Sequence, residues 1–348
     1  MQDRAVKIAA VMFIVGGAFW GLFTAKSILI PLAVAIVVGY LLEAMADALR
    51  SALPRGQRVP RWVFLLASLA LAAVATLEII NAMTISLSSV TEAAPIYQEN
   101  IYAIIKSGAG WFGMKEAPSL DKILAGLNVE GMVGSMAGLV AEIAGDLGLI
   151  VVYVIFMIVE RPAFEAKLKS LVPEGPGRER STGVMASIND RIRKYVLIKT
   201  FASILVGVLS YGVLFFVGVD FPFFWSFLIF LFNYIPTVGA LAGVGLPSLL
   251  ALVQFASPGP FLAVVIGLVV IQFLTGNLLE PKLLGASLNI SPLVVLLSLA
   301  VWGKLWGITG MFLCVPLTVI LMIIFAEFPK TRPVAVMLSA DGNVGGRG

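Results

Sequence analysis

The feature that most constrains this chain is an apolar run over residues 221–255, which contains no acidic and no basic residue. Within it, residues 230–247 hold one asparagine, two prolines and three glycines. These residue types end helices or expose the backbone. Backbone that is not helical survives in hydrocarbon only where it is buried in protein or lines a wet cavity. The run therefore predicts a broken segment inside a membrane protein rather than the core of a soluble one.

The composition of the whole chain agrees with a membrane location. Of its 348 residues, 59% are apolar and 13% are charged, against about 45–50% and about 25% in ordinary globular chains. Several apolar runs reach the roughly 20 residues that a helix needs to cross a bilayer. We expect an all-α polytopic membrane protein with about eight transmembrane helices, two broken or re-entrant helical hairpins and a small helical extracytoplasmic region.

Basic residues indicate the side of the membrane that each loop faces. The chain has 24 Lys and Arg, 20 Asp and Glu, and a net charge of +4. Lys and Arg are enriched in loops that stay in the cytoplasm, and here they collect at residues 50–61 and 161–199. We expect both stretches and both termini to be cytoplasmic. This explanation of the charge needs no nucleic acid partner.

The order of apolar and polar segments predicts five regions. The first three are an N-terminal transmembrane hairpin with a basic cytoplasmic loop (1–61), a third and fourth span with extracytoplasmic short helices at about 86–134 (62–160), and a cytoplasmic basic loop and helix (161–194). The last two are a transport core with two broken segments (195–328) and a cytoplasmic tail (329–348).

The second broken segment lies in the last apolar block, residues 291–328. As one straight helix this block would measure roughly 57 Å, at about 1.5 Å per residue, which is too long for a hydrocarbon core near 30 Å. We expect it to break at Gly303, Gly307 or Gly310. In both broken segments the glycines precede a proline, Pro247 or Pro316, that is expected to open a new helix.

Two broken segments of this kind are the best sequence pointer to a transporter site. Half-helices that meet inside a membrane expose unpaired N–H and C=O groups, which can bind a small polar solute. The alternative interpretation is a pair of kinked helices with close packing at their glycines.

Five motifs follow one another in the second half of the chain: Asn-Tyr-Ile-Pro-Thr-Val-Gly (233–239), Glu-Pro-Lys-Leu-Leu-Gly (280–285), Ser-Pro-Leu-Val-Val-Leu-Leu (291–297), Trp-Gly-Lys-Leu-Trp-Gly-Ile-Thr-Gly (302–310) and Val-Pro-Leu (315–317). In number and order they resemble the autoinducer-2 exporter (AI-2E) family. The N-terminal half resembles this family in segment layout alone.

The resemblance implies an eight-span protein of the bacterial inner membrane, in which two re-entrant hairpins shape the substrate path. It also implies a homopentamer and an elevator-like movement of each protomer. Members of the family are assigned to export of the quorum-sensing furanone autoinducer-2, whereas some relatives are described as Na⁺(Li⁺)/H⁺ antiporters.

The candidate substrate-binding residues are polar or helix-breaking residues in the two broken segments and in the span between them. Polar groups inside a membrane are costly and often functional, although helix capping and hydrogen bonds between helices are alternative roles. Gln272 and Thr275 share one helix face, which we expect to look inward. The candidates are Asn233, Pro236, Thr237, Gly239, Gly243, Gln272, Asn277, Gly307, Thr309, Gly310 and Pro316.

Three further residues, Glu280, Lys282 and Glu78, are candidates for ion coupling. Burial would raise the pKa of a carboxyl group, so Glu280 is the natural proton carrier and Glu78 the second choice. The alternatives are an interfacial ion pair of Glu280 with Lys282 or Lys304, and a Glu78 side chain that faces the outer surface.

Several functions lack support in the sequence. The chain has no phosphate-binding P-loop, no Gly-x-Ser-x-Gly motif and no histidine, so we expect no enzyme, no metal site and no cofactor. The expected partners are a small-molecule solute, the lipid bilayer and further copies of the chain. Three functions stay open, which are solute exporter, cation/proton antiporter and a membrane scaffold without transport activity.

Overall fold

The computed structural model describes residues 2–53, 59–111, 145, 147–160, 163–164, 166–167, 170, 176–285 and 288–344. Within these residues the regular structure is helical, apart from a single bridged pair, Ile290 and Ser339. The helices are α1 (Gln2–Thr24), α2 (Lys26–Ala52), α3 (Arg61–Trp111), α4 (Leu147–Glu160), α5 (Pro176–Val217), α6 (Pro222–Phe232), α7 (Val238–Phe255), α8 (Pro258–Phe273), α9 (Glu280–Leu284), α10 (Pro292–Glu327) and α11 (Arg332–Leu338).

The described residues contain six helical stretches that are long and apolar enough to cross a bilayer. They are Lys26–Ala52, Arg61–Ser86, Gly183–Val217, Val238–Phe255, Pro258–Leu284 and Pro292–Glu327. Shorter apolar helices cover Met12–Thr24, Leu147–Glu160 and Pro222–Phe232. The all-α membrane fold is confirmed, while the number of eight crossings stays a prediction.

The predicted short helices after residue 86 are wrong where the structure describes them. Helix α3 continues unbroken from the membrane span to Trp111. Gly108 and Gly110 lie in the last turn of α3, where helix propensity matters least. The rest of that region, residues 112–134, lies outside the described residues.

The described residues divide between two compact units, each built from separate stretches of the chain. Unit 1 draws on Met1–Leu41, Asp146–Val196 and Ala286–Gly348, and unit 2 draws on Leu42–Gly145 and Leu197–Gly285. The two broken segments therefore belong to different units.

Unit 2 contains the first hairpin, which consists of α6, a tip at residues 233–237, and α7. Helix α7 packs against α6, α8 and the far end of α3. The apolar side chains of α6, α7 and α8 form a core with α5. Left-handed backbone at Phe221, Thr237 and Ala256 reverses the chain before α6, at the tip and after α7. The core members include Val206, Leu214, Ile229, Ala251, Val264 and Leu268.

Unit 1 contains the second hairpin, in which α10 folds back on itself at Gly307. This glycine has φ 63° and ψ −143° inside an otherwise helical stretch, a conformation that side chains other than glycine rarely adopt. The predicted break in the last apolar block is thus confirmed at Gly307, whereas Gly303 and Gly310 keep helical backbone.

A clasp, which consists of residues 289–291 and 338–343, joins the start of the second hairpin to the end of α11, the short helix that follows it. Ser291 N donates to Leu338 O at 3.1 Å, and Ala340 N donates to Asn289 O at 3.1 Å. Asn289 Nδ2 also donates to Asp341 Oδ1 at 2.6 Å, which lowers the pKa of that carboxyl. The start of α10 is therefore held beside the end of α11.

The predicted role of Pro247 and Pro316 as the first residues of new helices is wrong. Helix α7 already starts at Val238, and the second arm of α10 starts after Gly307. Each proline therefore lies about two turns inside its helix, because the chain reverses earlier, at the residues with positive φ. Membrane helices tolerate proline where neighbouring groups satisfy the freed backbone.

Two glycines allow the arms of the hairpins to approach each other, and this generates a prediction. An added Cβ at Gly239 would lie 1.7 Å from Phe232 O, and one at Gly310 would lie 2.0 Å from Trp302 O. We expect Gly239→Ala and Gly310→Ala each to lower the Tm of the purified protein, at a cost of about 1–3 kcal/mol or more.

The matched control is Gly245→Ala, on the same helix as Gly239, because nothing lies within 4 Å of its added Cβ. Its Tm should be unchanged or higher, since alanine favours helix over glycine by about 1 kcal/mol. A thermal unfolding measurement in detergent compares the three variants. Equal Tm values for Gly239→Ala and Gly245→Ala would contradict the close approach at the tip.

Candidate functional site

The first hairpin brings buried polar side chains to its tip. Asn233, directly after α6, is 8% exposed. Its Nδ2 donates to Ser203 Oγ at 2.9 Å and lies 3.5 Å from Glu280 Oε1. The hydroxyl of the next residue, Tyr234, donates to Thr200 Oγ1 at 2.8 Å. Helix α5 therefore holds the tip through two side-chain hydrogen bonds.

A buried ion pair lies beside these hydrogen bonds. Lys199 Nζ donates to the two carboxylate oxygens of Glu280 at 2.7 and 2.9 Å, and the side chains are 10% and 14% exposed. Lys199 and Ser203 are one turn apart and share a face of α5. The pair and the hydrogen bonds form one polar group, named here the tip cluster, which consists of Lys199, Thr200, Ser203, Asn233, Tyr234 and Glu280.

The predicted partners of Glu280 are wrong. Both Lys282 and Lys304 are exposed, and the partner is Lys199, which the sequence interpretation assigned to the solvated cytoplasmic face. Lys282 follows Glu280 by two residues and so projects from another side of the helix. One sequence feature could have indicated this role for Lys199. This lysine lies one turn before the hydroxyl of Ser203, at the start of an apolar run.

Glu78, the second candidate for ion coupling, is exposed on α3. It lies in the same unit as the tip cluster but is not one of its members. Among the described residues, no three Asp, Glu or Cys side chains are close enough to hold a metal ion. Of the two candidate carboxylates, Glu280 is the one that is largely buried.

Helix α8 contributes the next polar layer, and the predicted inward face is confirmed. Thr275 is 3% exposed, and Gln272 is partly buried with a fully buried amide nitrogen. Asn277, by contrast, is exposed. Between Leu274 and Leu279 the chain forms a π-helical turn, which the sequence did not reveal. Such turns add a residue to the helix, rotate every later side chain, and occur frequently at functional sites.

The backbone of the tip is strained at Thr237. Its φ of 57° and ψ of −58° are unusual for a β-branched residue, and such conformations cost on the order of 1–3 kcal/mol. The side chain is exposed, and its hydroxyl donates to Pro236 O at 2.6 Å. Gly239 is buried against the carbonyl of Phe232, so Thr237 is the part of the tip that faces outward.

The second hairpin is closed by indole rings instead of charges. Trp302 Nε1 donates to Thr318 Oγ1 at 3.3 Å across the two arms, and Trp306 Nε1 donates to Leu22 O at 3.0 Å. The two indole rings contact each other with a centroid distance of 5.3 Å. At this tip Gly307 is exposed and Thr309 is partly buried, whereas Gly310 and Pro316 are buried.

The structure therefore divides the candidate residues between the units. Asn233 and Glu280 join one cluster, and Gly243 and Gln272 lie next to each other in the same unit. The second broken segment, with Gly307, Thr309, Gly310 and Pro316, belongs to unit 1.

Comparison with known proteins decides the family. A family model described as AI-2E family transporter matches residues 8–330. The chain belongs to the AI-2E family. It is 31% identical to a putative transport protein of Borreliella burgdorferi over 325 residues, which cover 91% of this chain and 86% of the relative.

Two further relatives are similar over most of their length. The chain is 26% identical over 326 residues to the AI-2 transport protein TqsA of Escherichia coli, covering 92% of this chain and 91% of TqsA. It is also 26% identical over 330 residues to the putative transport protein YrrI of Bacillus subtilis, covering 90% of each. The AI-2E family and these relatives are transport proteins, and the resemblance read from the motifs is confirmed.

The ion pair of this AI-2E family member can be tested by a double-mutant cycle. Removing one partner leaves the other charge buried and unpaired, which costs about 3–5 kcal/mol. We expect Lys199→Met and Glu280→Gln each to lower the Tm strongly, and the double variant to recover most of the loss. Thermal unfolding of the four proteins in detergent measures this. Additive losses in the double variant would contradict a buried pair.

Proposed function

We propose that the chain exports a small polar solute by secondary transport across the bacterial inner membrane, with autoinducer-2 as the candidate cargo. The observation that carries this proposal is the tip cluster, a buried ion pair with hydrogen-bonding side chains at the end of an apolar hairpin. Ionisable groups within membranes are costly and mark solute or ion pathways. Membership of the AI-2E family and similarity to the AI-2 transport protein TqsA support the cargo.

The length of α5 supports a re-entrant first hairpin. At the end of the hairpin away from the tip, Gln254 Nε2 donates to Gly218 O, Asp220 N donates to Gln254 Oε1, and Tyr97 donates to Asp220. Gly218 and Ser203 are fifteen residues apart on α5 and its C-terminal turn, about 22 Å at 1.5 Å per residue. The hydrocarbon core is about 30 Å thick. A hairpin that starts at the outer surface near Gly218 would thus end inside the membrane.

In the proposed mechanism the hairpins carry the solute across the membrane by an elevator-like movement, and the chain forms a homopentamer with cytoplasmic termini. The family resemblance supports both features. The clasp of residues 289–291 and 338–343 supports a second re-entrant hairpin, because it joins the start of α10 to the end of α11, which packs against α10. Adding α1 and α4 to the six long apolar stretches gives eight apolar segments, of which α7 and α10 belong to the two re-entrant hairpins.

A second candidate function is Na⁺(Li⁺)/H⁺ antiport, which the position of Glu280 favours. An antiporter needs a membrane-embedded carboxylate that gains and loses a proton, and Glu280 is the carboxylate at the tip. Lys199 competes with a cation for this carboxylate, because the two side chains already neutralise each other. We therefore rank export above antiport.

The deciding experiment measures transport in proteoliposomes. We expect the wild-type protein to move autoinducer-2, and Asn233→Ala to lower the initial rate roughly 10- to 150-fold, because a hydrogen-bonded group next to a buried charge contributes about 1.5–3 kcal/mol. The control is Thr84→Ala on α3, an exposed residue whose hydroxyl donates to its own helix at Ile80 O. Membrane insertion of both variants should equal that of the wild type.

The same vesicles separate the competing functions. Sodium-dependent proton flux that Glu280→Gln abolishes, without movement of autoinducer-2, would establish the antiporter. Vesicles that move neither autoinducer-2 nor protons under sodium or lithium gradients would favour a scaffold without transport activity. Normal transport by Asn233→Ala would exclude the tip cluster from the site while leaving the topology unaffected.

A further inference from the structure

A second group of polar atoms lies along the arms of the first hairpin, away from the tip cluster. Here α6, α7 and α8 meet around Gly243. An added Cβ at this glycine would lie 3.6 Å from Ile229 Cγ1 and 3.7 Å from Gln272 Nε2. Gly243 is five residues from the start of α7, about 7–8 Å along the arm. The missing side chain thus leaves the amide of Gln272 next to the helix backbone.

Two buried hydrogen-bond donors of unit 2, one on α6 and one on α8, have no acceptor among the described residues. Within the described part of the chain, the buried atoms Gln272 Nε2 and Trp225 Nε1 have no hydrogen-bond partner. Trp225 lies one turn before Ile229 on α6 and packs against the same apolar core. Each unpaired buried donor costs about 1–3 kcal/mol, and such groups are rare enough in native proteins to require an explanation.

An acceptor without its usual donor occurs at the same glycine. In an α-helix the carbonyl of residue 243 accepts from the N–H of residue 247. Residue 247 is proline, which has no N–H, and it is buried inside α7. A side-chain amide that needs an acceptor therefore lies beside a residue whose carbonyl lacks its helical donor.

We propose that Gln272 and Gly243 form a neutral hydrogen-bonding subsite for the transported solute, with Trp225 as a further donor. The subsite rests on the proposed export function and specifies its substrate class as uncharged molecules that carry hydroxyl and carbonyl oxygens. Such oxygens accept from the amide and the indole, and a hydroxyl also donates to the Gly243 carbonyl. The amide and indole N–H groups cannot coordinate a metal cation, so these two donors favour an uncharged solute over Na⁺ and Li⁺.

The location of the subsite agrees with this substrate class. It carries no charge, and at the tip Lys199 and Glu280 neutralise each other. The walls around it are apolar, with Ile229, Leu268 and Ile271 from the core of unit 2. An uncharged solute with a few oxygens can leave water there if each oxygen finds a partner, whereas an ion would lose its hydration without compensation.

The test uses the full-length protein in nanodiscs, with autoinducer-2 and D-ribose as separate probes in calorimetric titrations. Gln272→Leu should raise the Kd for at least one probe about 3- to 10-fold, as the loss of one neutral hydrogen bond predicts. Its Tm without ligand should be unchanged or higher, because the substitution removes an unpaired buried donor. Trp225→Phe keeps one aromatic ring but removes the indole N–H, so it should also weaken binding.

A pair of glycine substitutions provides the matched comparison. Gly243→Ala places a methyl group 3.7 Å from Gln272 Nε2 at an ordinary contact distance, so it should raise the Kd while the protein stays folded. Gly245→Ala, two residues further on the same helix with open space around its Cβ, should leave the Kd unchanged.

The outcomes distinguish the subsite from the proposed function. Binding by the wild type that Gln272→Leu leaves unchanged would overturn the subsite and leave export standing. A lower Tm for Gln272→Leu would show that the amide has a structural partner, and this also overturns the subsite. Suppose the wild type transports autoinducer-2 while its binding of both probes does not depend on Gln272. In that case the solute binds elsewhere and the subsite is overturned. If the wild type neither binds nor transports these probes, the proposed function fails with the subsite.

Discussion

The need to satisfy every backbone polar group in hydrocarbon governs the two hairpins. Water is absent there, so each N–H or C=O that a helix break releases must be paired or covered by protein. At the first tip, Ile235 N donates to Phe232 O at 2.8 Å and Gly239 N donates to Ile235 O at 3.2 Å. The turn thus closes its own hydrogen bonds within a few residues, and a glycine is required where α7 covers the Phe232 carbonyl.

The second hairpin has the same arrangement, so the two broken segments are similar in structure as well as in sequence. In each hairpin a residue with positive φ reverses the chain and a glycine packs on a carbonyl of the preceding helix. A buried proline and a hydroxyl that donates four residues back then follow on the returning arm. The corresponding residues are Thr237, Gly239, Pro247 and Ser248 in the first hairpin, and Gly307, Gly310, Pro316 and Thr318 in the second.

The two hairpins differ in the chemical groups that they bury. The first encloses an ion pair and an amide, whereas the second is closed by Trp302 and Trp306 with hydrogen bonds to Thr318 and to the backbone of α1. Charged and amide groups can exchange partners with a solute. Indole rings packed on each other contribute mainly apolar contact. The chemistry that could recognise a solute is therefore concentrated in unit 2.

The features that could be predicted from the sequence are those that depend on residues close together along the chain. Hydropathy predicted a helical membrane protein, excess length predicted the break at Gly307, and spacing predicted the shared face of Gln272 and Thr275. The partner of Glu280 could not be predicted, because Lys199 is 81 residues away and Glu280 follows a π-helical turn that the sequence did not reveal. The start of each returning arm was also missed, because proline is a weaker determinant there than the positive φ before it.

The neutrality of the Lys199–Glu280 pair has a consequence for the energetics of movement in an energised membrane. A single charge that crosses the whole membrane against 100 mV requires about 2.3 kcal/mol. The pair carries no net charge, so a hairpin that moves with both partners does no work against the membrane potential. Movement would become sensitive to voltage only if the carboxylate took up a proton or if the solute itself were charged. In the proposed elevator-like movement, this pair would let the protein bury two ions and still move them electroneutrally.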